Sequence, residues 1–295
     1  MISIKNVSKY YDKFKALDNI NIEVPKGTIH GLIGENGAGK TTLIHCLTGI
    51  YKCDEGTITY NGEQIYDNPT VKAKIGYVAD SNSYFPNSKI KDMVEFYKGI
   101  YPTFDENRFN ELNEIFKLST DRKVKQLSKG MQMRLSLMLN LSLHPEALIL
   151  DEPTSGLDAI AKKQVIDLLI SEVTENKCTI IISSHHLGEL ERLCDSITMI
   201  QNGHILYQNS IDEIKKQIVK LQAVFKQTPD LSNIDGIINT EQIGSIYYII
   251  TKDATSVTNK LYENGAELVE EIGMSLEDIF IYTSLDKGWF YEFTF

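Results

Sequence analysis

A glycine-rich segment that ends in a lysine and two threonines is the part of this sequence best suited to chemistry on phosphates. It comprises Gly34, Glu35, Asn36, Gly37, Ala38, Gly39, Lys40, Thr41 and Thr42. Glycines let the backbone turn its N–H groups towards an anion, and the N-terminus of a following helix adds partial positive charge. A lysine here reaches β- and γ-phosphates, and the next hydroxyl is a ligand for Mg²⁺. The segment predicts a nucleotide-binding P-loop rather than an ordinary glycine turn.

Two acidic residues, Asp151 and Glu152, follow directly after an apolar run at residues 147–150. Carboxylates at the carboxyl end of a parallel strand lie where open α/β sheets bind ligands, on the same edge as a P-loop. We expect Asp151 to hold Mg²⁺ and Glu152 to orient or deprotonate an attacking water. For the dipeptide alone, two capping acids before a loop would be the simpler interpretation.

Asp80 is a third candidate carboxylate, at the end of a short apolar run at residues 75–78. It could join Thr41 and Asp151 around Mg²⁺, because hard cations favour anionic oxygen ligands. The alternative is that Asp80 caps the polar turn at residues 81–83 and faces solvent. The sequence leaves both interpretations open.

Two ring side chains are candidates for contacts with a nucleotide. His185 closes the polar end of an apolar strand predicted at residues 179–185 and could hydrogen-bond a γ-phosphate, although a lone histidine is usually structural. Tyr11 could offer a ring face to an adenine base, although core packing is the commoner role of a tyrosine. Position at the sheet edge favours the functional interpretation for His185.

The spacing of apolar residues predicts the elements that position these side chains. A buried strand at residues 28–33 precedes the glycine-rich loop, and a helix at residues 42–49 follows it. Alternation at residues 2–7 and 20–24 is typical of an antiparallel sheet with one wet face. Further strands are predicted at residues 56–60, 75–78, 147–150, 179–185, 196–201 and 204–208.

The middle of the chain, from about residue 88 to residue 143, changes to helical periodicity. One apolar stripe is formed by Ile90, Val94, Tyr97 and Tyr101, and another by Phe109, Leu112, Ile115 and Phe116. Aromatic residues are abundant here, namely Tyr84, Phe85, Phe96, Tyr97, Tyr101 and Phe104. They could build a docking surface, although such stripes are more often local core.

Residues 218–295 differ in composition from the rest and read as a small α+β appendage without a catalytic cluster. Strands are predicted at residues 221–226, 234–240 and 245–251, and short helices at residues 257–264 and 276–282. We find no internal repeat.

Composition limits the classes of function. The 295 residues allow about two domains, and 42 % of them are hydrophobic, as in globular cores. No apolar run approaches the roughly 18 residues of a membrane span, and the first residues read as a strand rather than an export signal. We therefore expect the site of action to be the cytosol or a cytosolic membrane face. The cysteines, Cys46, Cys53, Cys178 and Cys194, lack metal-site spacing and should be reduced. A net charge of −10 disfavours a nucleic-acid partner.

A segment about twenty residues before Asp151 identifies a family. Its residues are Leu127, Ser128, Lys129, Gly130, Met131 and Gln132, and with the P-loop and the acidic pair it resembles the signature of ATP-binding cassette (ABC) proteins. Over residues 1–217 the chain resembles the ATP-binding subunit of an ABC transporter. This implies a P-loop NTPase of α/β class: a RecA-like core, an antiparallel β-subdomain and a helical subdomain at about residues 83–145, with residues 218–295 as an accessory α+β domain.

The resemblance also implies an assembly. In such a head-to-tail dimer, ATP and Mg²⁺ lie between the P-loop of one subunit and Ser128 and Gly130 of the other. Tyr11 stands where the family stacks adenine, Asp158 ends a loop similar to the dimer-contact loop, and His185 occupies the switch position. Glu152, His185 and Lys40 would then be the catalytic residues.

The partner implied is a separately encoded integral membrane permease, which holds the ATPase at the cytoplasmic face of the membrane. The ATPase would pair with itself or with a paralogous ATPase, and no nucleic acid is expected. The chain looks most like ATPases of bacterial exporters for peptides or antibiotics. The alternative is a soluble ABC ATPase that acts on ribosomes or DNA.

Two positions depart from the family pattern. The family usually has glutamine where this chain has Asp80, which puts the geometry of metal and water in doubt. It also usually has glutamine where the signature has Met131, which matters less because Ser128 and Gly130 remain.

Overall fold

The computed structural model describes residues 1–81 and 85–286, so Tyr84 and part of the turn expected at residues 81–83 lie outside the described residues. The chain forms two compact units, Met1–Gln208 and Asn209–Phe295. The sequence placed this boundary between residues 217 and 218. Among the described residues, no helix combines the length and apolar character needed to cross a bilayer.

The first unit contains a mostly parallel sheet that carries the P-loop. Its strand order is β10-β9-β3-β8-β7-β6. The strands are β3 (Ile29–Ile33), β6 (Ile75–Val78), β7 (Ala147–Asp151), β8 (Thr179–Ser184), β9 (Ser196–Gln201) and β10 (His204–Ser210). Strands β3, β6, β7, β8 and β9 pair in parallel, so their carboxyl ends meet at one edge. This edge carries the polar residues singled out above.

A second, antiparallel sheet in this unit has the order β2-β1-β4-β5. Its strands are β1 (Ile2–Tyr11), β2 (Phe14–Val24), β4 (Glu55–Tyr60) and β5 (Glu63–Gln64). Both β1 and β2 run longer than their alternating segments predict, because bulges in their pairing interrupt the alternation. Beyond the bulges, the pairing of β1 with β2 continues to Tyr11 and Phe14.

Helix α1 (Lys40–Leu47) joins the two sheets in one core. Its buried Leu43, Ile44 and Leu47 pack with Leu17 of β2 and Ile149 of β7. Full burial of one such side chain is worth about 1.5–3 kcal/mol, so this cluster fixes the helix behind the P-loop firmly.

The helical segment consists of α3 (Ile90–Ile100), α4 (Glu106–Phe116), a 3-10 turn at Val124–Gln126 and α5 (Lys129–Leu141). The short α2 (Pro69–Lys72) precedes it, and α6 (Ala159–Thr174) and α7 (Leu187–Leu193) follow β7 and β8. Most of the predicted stripes are buried, namely Ile90, Val94, Phe109, Leu112 and Phe116. Ile115 and Tyr101, which the sequence assigned to the same stripes, are instead exposed.

The second unit is an α+β structure, as its composition indicates. The strands β11 (Val219–Phe225), β12 (Ile237–Ile243), β13 (Ile246–Thr251) and β14 (Ala266–Ile272) form an antiparallel sheet in the order β12-β13-β11-β14. The helices are α8 (Ile211–Gln217), α9 (Ala254–Glu263) and α10 (Leu276–Asp286). Val257 and Leu261 of α9 pack on Leu221 and Ile249 of the sheet. Strand β14 and helix α8 were not predicted.

Candidate active site

The glycine-rich loop connects β3 to α1, and each glycine has its own reason to be there. A Cβ on Gly34 would lie 2.3 Å from the carbonyl oxygen of Ile200, so no side chain fits. Gly37 has open space around it but a φ of 85°, in the left-handed region that glycine tolerates best. Gly39 precedes the helix with a φ of 112°. Helix α1 therefore begins at Lys40, two residues earlier than predicted, and its unpaired first N–H groups face the loop.

Lys40 is held inside the loop it follows. Its buried side chain donates hydrogen bonds to the carbonyl oxygens of Gly34 (2.5 Å) and Glu35 (3.2 Å). Its Nζ lies 3.8 Å from Oε1 of Glu152. Burial lowers the pKa of Lys40, while the carboxylates of Glu152 and Asp151 act in the opposite direction. Because a buried charge is unfavourable unless it is paired, binding of an anion next to the Lys40 ammonium group would be favourable.

Asp151 is the hub of a small hydrogen-bond network at the carboxyl ends of β7 and β8. Thr41 Oγ1 donates to its Oδ2 (3.1 Å), and Ser183 Oγ donates to its Oδ1 (2.6 Å). Ser183 stands directly opposite Asp151 in the parallel register. Sequence reasoning missed Ser183, although its position directly after the apolar residues 180–182, like that of Asp151 after residues 147–150, carried that signal.

Next to this network, the side chains of Glu152 and His185 contact each other. The backbone N–H of Glu152 donates to Ser183 Oγ (3.0 Å), and Glu152 has a φ of 49°, which turns the chain sharply at the end of β7. Its Oε2 lies 2.9 Å from Nδ1 of His185, and the His185 ring contacts that of His186 with centroids 3.9 Å apart and ring planes tilted by 44°. The carboxylate is thus held between Lys40 and His185.

A pocket of about 380 Å³ opens in front of these groups. Its walls include most of the predicted site residues: Tyr11, Glu35, Asn36, Gly37, Gly39, Lys40, Thr41, Thr42, Asp80, Asp151 and Glu152. Gly34 and Ala38 belong to the loop behind the pocket, and His185 reaches it through Glu152. The P-loop, the acidic pair and Asp80 are therefore brought together in one place.

The aromatic end of the pocket is formed by the hairpin of β1 and β2. Tyr11 and Phe14 are paired in register, are 42 % and 65 % exposed, and both line the pocket. The Tyr11 ring also makes an edge contact with Tyr51, with centroids 6.1 Å apart. Phe14 was missed from the sequence, because only the hairpin register shows that it lies opposite Tyr11.

The signature residues do not line this pocket. Ser128 is the N-cap of α5, where its Oγ accepts a hydrogen bond from Met131 N (3.2 Å). Gly130 packs against the following loop, because a Cβ there would lie 2.7 Å from Leu157 Cδ2. Among the described residues, neither Ser128 nor Gly130 belongs to the wall of the pocket in its own subunit.

Asp158 ends the loop that Gly130 contacts and is the N-cap of α6. Its carboxylate accepts a hydrogen bond from Ala161 N (2.9 Å), which lowers the pKa of Asp158, and it lies 3.9 Å from Arg134 of α5. Asp158 therefore has a structural role within its own subunit, and its side chain remains on the surface.

Asp80 lines the pocket but already has a basic partner. Its Oδ1 lies 2.6 Å from Nζ of Lys129, the third residue of the signature. The metal role predicted for Asp80 stays a prediction, and the turn-cap alternative involves residues 82 and 83, which lie outside the described part of the chain.

The donors at this edge fit a magnesium ion. The Thr41 hydroxyl and the Asp151 carboxylate are hard oxygen donors that already contact each other at 3.1 Å. In the part of the chain that the structure describes, no group of three or more His, Cys, Asp and Glu side chains could hold a metal alone. Mg²⁺ is commonly bound through one or two carboxylates together with substrate phosphates, which this donor set permits.

Comparisons with known proteins agree on one family. A family model described as ABC transporter matches residues 17–155. The ABC transporter ATP-binding protein YtrB of Bacillus subtilis (strain 168) is 32 % identical over 283 residues, which cover 95 % of this chain and 97 % of YtrB. This chain belongs to the ATP-binding proteins of ABC transporters. The resemblance read from the signature is confirmed, and the chain is an ATPase of this family.

Two further ABC proteins show similarity at the levels of sequence and fold. The bacitracin transport ATP-binding protein BcrA of Bacillus licheniformis is 33 % identical over 95 % of this chain and 96 % of BcrA. A solved structure of an ATP-binding subunit of an ABC transporter superposes with a TM-score of 0.67 at 26 % identity, covering 74 % of this chain and 92 % of that one. The predicted P-loop NTPase fold is thereby confirmed.

Proposed function

We propose that this ABC protein hydrolyses ATP at the pocket between Lys40 and Glu152 and thereby drives export through a separate membrane permease. The observation that carries the site is the continuous set of contacts from Thr41 through Asp151 and Ser183 to Glu152. The export role is supported by BcrA, which is named for bacitracin transport and matches almost the whole chain. Neither YtrB nor BcrA is named for work on ribosomes or DNA.

In this proposal the residues of the chain divide the work on ATP. Lys40 and the N–H groups of the P-loop bind the phosphates, and Tyr11, with Phe14 beside it, stacks on the adenine. Glu152 takes the proton of the attacking water, and His185 holds Glu152 in position and contacts the γ-phosphate. Thr41 and Asp151 would hold Mg²⁺, which neutralises charge on the phosphate oxygens.

The second half of the site comes from another subunit. Ser128 and Gly130 lie at the N-terminus of α5, where unpaired N–H groups suit a γ-phosphate. Because they are outside the wall of their own pocket, we propose that they close the pocket of a partner subunit in a head-to-tail dimer. Asp158 lies 3.9 Å from Arg134 of α5, the helix whose N-terminus carries Ser128 and Gly130. The partner is a second copy or a paralogue.

The permease would rest on the helical segment and hold the ATPase at the cytoplasmic face of the membrane. Among the described residues of this segment, five large apolar side chains are exposed, namely Phe85, Phe96, Ile100, Tyr101 and Ile115. Phe85 and Phe96 contact each other edge to face, with ring centroids 5.4 Å apart. Exposed apolar clusters of this kind are typical of protein interaction sites.

The experiment for this proposal is purification of the chain with its membrane fraction. A wild-type chain should retain an integral membrane protein through detergent extraction, and a Phe85→Ser, Phe96→Ser double variant should lose it while still binding ATP. A Tyr262→Ser variant, which removes an exposed ring from the second unit, is the control. Equal retention by the wild type and by the double variant would contradict the docking surface.

A further inference from the structure

Four carboxylates and one lysine are the charged side chains among the described residues that line the pocket. The carboxylates belong to Glu35, Asp80, Asp151 and Glu152, and the lysine is Lys40. ATP brings several more negative charges to the same place. Like charges in a partly desolvated pocket repel one another strongly, so each carboxylate there needs a compensating partner.

Two of these carboxylates have close partners in the ATP site, and a third acts on Lys40 through its charge. Asp151 accepts hydrogen bonds from Thr41 and Ser183, and Glu152 lies between Lys40 and His185. Glu35 belongs to the P-loop itself, where its carboxylate acts on the Lys40 ammonium through electrostatic attraction. Asp80 differs, because its compensating charge comes from outside the pocket wall, from Lys129 of the signature at 2.6 Å.

Lys129 is held in place by more than this one contact. Its Nζ also lies 3.3 Å from Oγ of Ser155, in the loop that starts at Glu152. Its Cδ passes over Gly156, where a Cβ would lie 3.7 Å away. Lys129 therefore bridges the pocket wall and the loop between β7 and α6.

We propose that Lys129 is a positioning residue that neutralises Asp80, so that nucleotide binding in one pocket depends on the signature segment of the same subunit. Without Lys129, the Asp80 carboxylate would face the phosphates unpaired and repel them. The residue after Ser128 thus acts inside its own subunit, whereas Ser128 and Gly130 act on the partner. The inference rests on the proposed ATP site at this pocket.

The expected effect of the Lys129–Asp80 ion pair on ATP binding is limited by the solvent exposure of the two side chains. The side chains of Lys129 and Asp80 are 49 % and 42 % exposed, so their attraction is moderated by solvent. Ion pairs of this kind change equilibria by factors of about two to five, and the effect shrinks at high salt. A change of this size is measurable in a binding constant.

The test is the dissociation constant of ATP, measured by calorimetry on the full chain in EDTA and again with excess Mg²⁺. In EDTA, Lys129→Met should weaken ATP binding about two- to five-fold, and the same change in an Asp80→Asn background should have no effect. Lys129→Arg should bind as the wild type does. Lys125→Met, which removes the same charge from the neighbouring 3-10 turn, is the matched control.

Each result either supports or overturns the inference. If Lys129→Met is not soluble, Lys129→Gln replaces it in the same cycle. An equal loss in both backgrounds, or no loss in either, overturns the inference while leaving the ATP site intact. A loss of binding by Asp80→Asn that appears only with Mg²⁺ overturns it in favour of a metal ligand. A wild-type chain that does not bind ATP would instead refute the proposed function itself.

Discussion

Thr41 Oγ1 donates a hydrogen bond to Asp151 Oδ2 across 3.1 Å, although 110 residues separate the two along the chain. The contact joins the first turn of α1 to the end of β7. It exists because the parallel pairing of β3, β8 and β7 brings their carboxyl ends to one edge. The two oxygen donors are therefore in position before any metal or nucleotide arrives.

Ser183 should be needed for metal affinity. Ser183→Ala removes the donor to Asp151 and leaves the Glu152 N–H without its acceptor. Groups that orient a metal ligand typically change metal affinity ten-fold or more, so the Mg²⁺ concentration for half-maximal ATPase activity should rise by about ten-fold. The measurement is a Mg²⁺ titration of steady-state hydrolysis.

The control for this prediction is Ser184→Ala, the next residue of β8. Ser184 is equally buried, but its Oγ accepts from His186 N rather than contacting Asp151. It should leave the Mg²⁺ requirement unchanged. Equal shifts in the two variants would mean that the hydroxyl of Ser183 has no special role in orienting Asp151.

The glycines of the loop should differ in their cost of substitution. Gly34→Ala drives a Cβ to 2.3 Å from a backbone oxygen and should lower the free energy of unfolding by about 3 kcal/mol or more. Gly37→Ala meets open space and should lose only about 1–2 kcal/mol from its left-handed backbone. Urea unfolding of the two variants measures the difference, and a larger loss for Gly37→Ala would refute this account of the loop.

Local patterns made most of the site predictable from the sequence. The P-loop and the acidic pair each consist of a few consecutive residues, so both can be recognised in the sequence. Because parallel strands end at the same edge of a sheet, their proximity could also be predicted. Ser183 and Phe14 were missed because their roles depend on register with Asp151 and Tyr11. The Asp80–Lys129 pair depends on the packing of α5 beside β6, for which no local pattern exists.

The fold was predictable to a similar degree and for the same reasons. Buried strands with continuous apolar runs were found nearly to the residue, as for β7 at Ala147–Asp151, which was predicted at residues 147–150. Strand β14 was missed because most of its side chains are polar or exposed, so its alternation is weak. Ile115 was assigned to a buried stripe, but α4 turns that residue towards solvent. The periodicity of apolar residues predicts which face of a helix is buried, but not how much of that face the neighbouring elements cover.

His30 should make stability depend on pH. It is buried in β3 between Ser196 Oγ (2.7 Å) and Thr198 Oγ1 (2.9 Å), and burial lowers its pKa to about 4. The unfolded chain binds this proton near pH 6.5 and the folded chain only near pH 4, so stability falls as pH drops between these values. At pH 5 the loss relative to pH 7.5 should be about 2 kcal/mol.

The check is urea unfolding of the wild type and His30→Gln at both pH values. The variant should lose less stability than the wild type on acidification, because glutamine does not titrate. Identical pH dependence in the two proteins would show that His30 can be protonated in the folded state at no cost.

The central claim is that Glu152 is the base of an ATP-hydrolysing site, and its replacement by glutamine tests this most directly. Glu152→Gln should keep the ATP affinity of the wild type and lose hydrolysis by about a hundred-fold or more. With ATP it should sediment as a dimer, because the step that separates the subunits no longer occurs. A Glu152→Gln protein that hydrolyses ATP at the wild-type rate would contradict the account, and one that binds ATP and stays monomeric at all concentrations reached would contradict a dimer of two copies of this chain.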